Sequence, residues 1–148
     1  MAQGSSVEKW SQWDLLKLNS FSFGITGFIL AMDTVVLPVI VLTVAPDEFK
    51  NTYLAILGIS GLIMAAMVQP TIGRISDRTQ SAFGRRVPFI ISGAVFSAIG
   101  LVGIRLAPNF GVLFAVWIFI QVNVNIAYGP GLALIRDCVP LNRIGMAS

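Results

Sequence analysis

The 148 residues contain no histidine, one cysteine (Cys138) and only seven acidic side chains. Without histidine, no Ser-His-Asp or Cys-His nucleophile pair can be assembled. A His- or Cys-based metal site lacks ligands, and a single thiol cannot close a disulfide within the chain. Nothing here calls for a cofactor, and the chain does not read as an enzyme. Charge of either sign is scarce: 11% of residues are charged, where a soluble domain carries about 25%.

What is abundant is apolar. Hydrophobic residues make up 55% of the chain, and the mean hydropathy is +0.81. They come in blocks, not at the 2-residue or 3.6-residue period of half-buried elements. The fold class is therefore all-α integral membrane. The net charge of +3 does not point to nucleic acid, because the cations stand at the ends of apolar runs and form no patch interleaved with aromatics.

Residues 1–17 read as an amphipathic interfacial segment, with Trp10 and Trp13 between Lys9 and Lys17. Four apolar spans follow, at about 18–45, 49–72, 88–106 and 110–134, each near or above the ~20 residues a crossing needs. Gly24, Gly27 and Ala31 in the first and Gly58, Gly61 and Ala65 in the second are small residues that let helices approach closely. Pro38 should kink or locally break the first span, and Gly129-Pro130-Gly131 should distort the end of the fourth. Gln69-Pro70 marks the second span's approach to the far side, and Pro88 suits a first helical turn. A charged loop occupies 73–87, and 136–148 forms a polar tail.

Lysine and arginine set the orientation. Lys9, Lys17, Arg74, Arg78, Arg85, Arg86, Arg136 and Arg143 fall on one side of the four spans, against Lys50 and Arg105 on the other. The expectation is a cytoplasmic N-terminus and a cytoplasmic loop 73–87.

Asp33 stands near the middle of the first span. A carboxylate there costs ~2.5–3.5 kcal/mol on insertion scales, so it should face a cavity or a partner. Ser22 and Thr26 share its helix face. The functional reading is a protonatable or cation-binding carboxylate; the plainer one is a structural pairing with a neighbouring helix. In the fourth span Trp117, Gln121, Asn125 and Tyr128 recur at helical spacing on one face, while Asn123 points elsewhere. Amides and rings on one face suit a small polar solute, although interhelical hydrogen bonding would use the same groups. Arg85 and Arg86 precede the third helix, where cations oppose the helix dipole. They need an offsetting partner: Asp77, anionic lipid headgroups, or another part of the protein.

Gly73-x-x-x-Asp77-Arg78 followed by Gly84-Arg85-Arg86 resembles the loop signature between helices two and three of major facilitator superfamily transporters. The spacer 79–83 is longer than the single residue usual there. SDRT followed by GRR and a proline is similar to the sucrose-transporter and glycoside-pentoside-hexuronide:cation symporter branch. Gly129-Pro130, Ala133-Leu134, Asp137, Val139-Pro140, Gly145 and Ala147-Ser148 resemble the end of helix four and the loop after it in that branch, except that Ile144 stands where an arginine is expected and Arg143 comes one place early.

The resemblance implies a transporter of two six-helix halves, each built of 3+3 inverted repeats, with substrate near the midplane. It implies that this chain is an N-terminal fragment, with the remaining helices missing. It further implies that Gly73, Asp77, Arg78, Gly84, Arg85 and Arg86 form a conformational latch between the halves. The expected function is cation-coupled transport, by H+ or Na+, of a small polar solute such as a sugar, with Asp33, Gln121, Asn125 and Tyr128 as coupling or substrate residues. Two other readings are a complete four-helix exporter resembling the small multidrug-resistance proteins and a non-transporting tetraspan scaffold or assembly subunit.

Overall fold

The computed structural model describes the backbone of residues 12–138 and the side chains of 20–133. Helix α1 (Gln12–Ala31) continues through a π-helical turn (Met32–Val36) into α2 (Leu37–Val44), and together these make the first crossing. A short 3-10 turn at Asp47–Phe49 leads to α3 (Lys50–Arg78), followed by α4 (Val87–Arg105) and α5 (Phe110–Cys138). No strand occurs among the described residues. Four helical stretches are long and apolar enough to cross a membrane. Short connections make successive crossings antiparallel.

Local chemistry marks each boundary. Leu37 N–H donates to the Met32 carbonyl, five residues back, and Pro38 has no N–H to offer. The Asp33 carbonyl thus loses its i+4 donor, Leu37, and finds none at i+5, where Pro38 stands, so the expected disturbance at Pro38 takes the form of a π turn. Asn109 caps α5, its Oδ1 accepting from Val112 N–H at 3.1 Å. Pro88 lies in the first turn of α4. Asp47 and Lys50 form an ion pair at the start of α3.

Two helices run further than the sequence suggests. The charged connection drawn as 73–87 is helical through Arg78, and only 79–86 is non-helical. Nothing between Gly73 and Arg78 breaks a helix, and its charges can be solvated at headgroup depth: α3 is 29 residues long, about 43 Å at 1.5 Å per residue, against ~30 Å of hydrocarbon. Likewise α5 continues through Pro130 to Cys138, past the tail boundary drawn at residue 136. Most of the amphipathic segment expected over 1–17 and the tail motif from Val139 to the end lie outside the described residues, although residues 12–17 already belong to α1.

Helix α5 is the centre of the bundle. It packs along α4 and α3 and touches α1, while α2 leans on α3. Close approach occurs at Gly93 of α4, where a Cβ would stand 2.5 Å from the Asn123 carbonyl oxygen and 2.8 Å from the Ala127 nitrogen. Gly24, Gly27 and Gly58, read from the sequence as packing positions, have nothing within 4 Å. The buried core gathers Val41, Leu57, Leu113 and Trp117 toward one end, where Tyr53 and Phe110 stack with centroids 3.9 Å apart. This is called the aromatic end. The opposite end carries Arg74, Arg78, Arg85 and Arg86 and is called the arginine end.

Candidate solute cavity and arginine cluster

A cavity of about 720 Å³ opens between the first crossing, α3 and α5. Its walls are mostly apolar, as a cavity cut into membrane-spanning helices must be, with a few polar groups set among them. Asp33 reaches it from the π turn, Thr26 from α1, Gln69 from α3, and Gln121, Asn125 and Tyr128 from α5. The four residues expected as coupling or substrate groups therefore converge on one space. Among the described residues, the side chains of Asp33, Gln121 and Tyr128 make no hydrogen bond or ion pair.

Helix geometry sorts these groups by depth. Asp33 lies 11 residues before Val44, Gln121 lies 11 after Phe110, and Gly61 lies 11 after Lys50, all roughly 16 Å from the aromatic end. They form a mid-depth tier. Gln69, Asn125 and Tyr128 form a second, about 6–12 Å nearer the arginine end. Gly61 gives the Gln121 amide its room, because a Cβ there would make that side chain shift.

Other polar groups go elsewhere. Trp117, expected on the same face, is 2% exposed, and its indole N–H donates to the Leu57 carbonyl at 2.9 Å, tying α5 to α3. Asn123 turns from the cavity, bonds the Phe119 carbonyl at 2.8 Å and backs onto Gly93. Ser22 does not reach the wall. Gln69 is a site residue the sequence reading passed over. Its signal was present, a lone amide inside an apolar span, but it was read with Pro70 only as the mark of a helix end.

At the arginine end, Arg86 is 6% exposed. One guanidinium nitrogen meets Asp77 Oδ1 at 3.1 Å, and the other lies 3.5 Å from the Pro130 carbonyl oxygen. The partner that the cation before α4 requires is thus Asp77, with the α5 backbone beside it. Gly84 has φ +92°, a conformation that side-chain-bearing residues disfavour, and it turns the chain so that Arg86 points inward. Arg74 and Arg78 stand exposed, four residues apart on α3, and Gly73 has nothing within 4 Å. Arg85 is also exposed.

Comparison with known proteins decides the family. Residues 21–135 match the family described as MFS/sugar transport protein. The chain belongs to this family. The sucrose transport protein SUC4 of Arabidopsis thaliana is 31% identical over 104 residues, which cover 59% of this chain and 20% of the relative. Proton-associated sugar transporter A of Mus musculus is 32% identical over 150 aligned residues, covering 90% of this chain and 19% of the relative. The chain spans about a fifth of the length of the curated relatives it matches. No solved structure matches. The family and these relatives are transporters, not enzymes.

Proposed function

We propose that these four helices form one wall of the solute pathway in a cation-coupled sugar transporter, the facing wall coming from helices beyond those described. The observation that carries this reading is the cavity itself, in which a carboxylate, three amides, a hydroxyl and a phenol from three crossings meet in a space of solute size. Sugars are the proposed solutes because the groups suit hydroxyls and because the relatives are named for sugars. Asp33 is the proposed coupling residue, binding a proton or a sodium ion as the solute enters.

The arginine end is proposed to face the cytoplasm on the excess of lysine and arginine in its loops. Gly73, Asp77, Arg78, Gly84, Arg85 and Arg86 are proposed to act as a latch that stabilises one access state. Asp77 supports this role: beside Arg86 its side chain remains 56% exposed, leaving the carboxylate accessible to a second partner.

The test is uptake of sucrose and glucose by the full-length protein in proteoliposomes, with imposed proton and sodium gradients. Wild-type uptake should rise with one of them. Asp33→Asn should remove that dependence while downhill exchange of sugar persists. Uptake by Asp33→Asn that keeps its full dependence on the gradient would overturn the coupling role.

A further inference from the structure

The tier nearer the arginine end contains a hydrogen-bond chain whose direction is fixed by its last member. Asn125 Nδ2 donates to the Gln121 main-chain carbonyl at 2.7 Å, and a carbonyl oxygen can only accept. The Asn125 NH2 is therefore turned along its own helix, and Oδ1 faces α3. Gln69 meets it with Nε2 at 2.7 Å. That bond commits the NH2 end of Gln69 to α5, so Oε1 is directed away from Asn125. Among the described residues nothing donates to Gln69 Oε1. Asn125 is 4% exposed, while Gln69 is half-buried and lines the cavity.

The two amides therefore have different jobs. We propose that Gln69 is a solute-contacting residue that presents Oε1 as an acceptor to one hydroxyl of the solute. Asn125 is its positioning residue, deciding which end of the Gln69 amide faces the cavity. The assignment rests on the sugar reading above. It moves direct contact from Asn125, which is buried and already bonded on both sides, to a residue on the neighbouring helix. An acceptor fixed in this way requires a donor, so it selects a hydroxyl over a hydrogen or an ether oxygen at that position. A site built to bond a hydroxyl rejects the analogue lacking it, because its polar group is then left unpaired. The carboxylate tier lies one to two turns away, so one solute can span both.

The experiment compares glucose and sucrose with their singly deoxygenated analogues in proteoliposomes of the full-length protein. For wild type, one deoxy position should lose about tenfold in kcat/KM, the effect of one hydrogen bond to a neutral group. In Gln69→Met, which keeps length but cannot accept, parent and that analogue should be taken up alike, with the other analogues keeping their ratios. Asn125→Ala should blunt the same preference and add nothing in the Gln69→Met background. Thermal unfolding in detergent checks that each variant is folded. Should Gln69→Met fail to fold, Asn125→Ala decides alone: a deoxy preference kept there at full size would overturn the assignment. So would a Gln69→Met variant that lowers uptake of every analogue by one factor, the behaviour of a helix–helix contact, or that changes nothing. A wild-type protein that moves none of these sugars removes the sugar reading first, whereas selective wild-type uptake with unchanged selectivity in Gln69→Met removes only this assignment.

Discussion

Two glycines that look alike in the sequence show how much a residue's surroundings decide. A Cβ at Gly93 would press on backbone atoms of α5, which cannot move aside, while one at Gly24 would meet nothing within 4 Å. Gly93→Ala should therefore destabilise the bundle by about 1–3 kcal/mol through overpacking, and Gly24→Ala should stay within about 0.5 kcal/mol. Thermal unfolding of the two variants side by side checks this. The Arg86–Asp77 pair is similarly unequal, with a buried guanidinium and a half-exposed carboxylate. Removing the exposed carboxylate takes this countercharge from a buried cation, so Asp77→Ala should cost about 2–3 kcal/mol and exceed Arg86→Met, at about 1 kcal/mol. Equal losses would mean the pair is solvated from both sides.

At the scale of the element, prolines shape the cavity. Pro38 lines it, and Gln69 and Tyr128 come just before Pro70 and Pro130. Interrupted helices leave backbone groups that only a cavity or neighbouring protein can satisfy. The π turn before Pro38 carries Asp33, and π turns inside helices recur at functional sites. Pro38→Ala restores the missing N–H and should let the turn relax toward a regular helix, rotating Asp33 from the cavity. The expected outcome is unchanged or raised thermal stability with uptake lowered at least severalfold; unchanged uptake would show that the turn is only an accommodation of proline.

The helices, their number and the polar face of α5 were legible in the sequence, because apolar block length and a spacing of three and four report directly on a membrane helix. Helix ends were less so. A run of charges reads as a loop, but headgroup depth tolerates it in a helix, and α3 runs on to Arg78. Gln69 was hidden for a different reason. Its significance comes from Asn125, 56 residues away, and no local pattern carries a contact between two crossings.

For the whole molecule, the arrangement is a bundle with aromatic packing at one end, α5 at its centre and an open cavity along one side. The proposed account places solute against the first, second and fourth crossings, in the cavity they line. Cys138 is the sole thiol among the 148 residues, so site-directed labelling can address the cavity once it and any cysteine elsewhere in the full-length protein are replaced. Ala65 stands on the cavity wall, and Ile99 lies exposed on α4 away from it. The most direct measurement is the rate at which a small, membrane-impermeant thiol reagent modifies Ala65→Cys in the full-length protein, with and without saturating transported sugar. Labelling should be slowed severalfold by the sugar at Ala65→Cys, while Ile99→Cys should react poorly and without response to sugar. Equal labelling of Ala65→Cys with and without a sugar that the protein demonstrably transports would contradict the account.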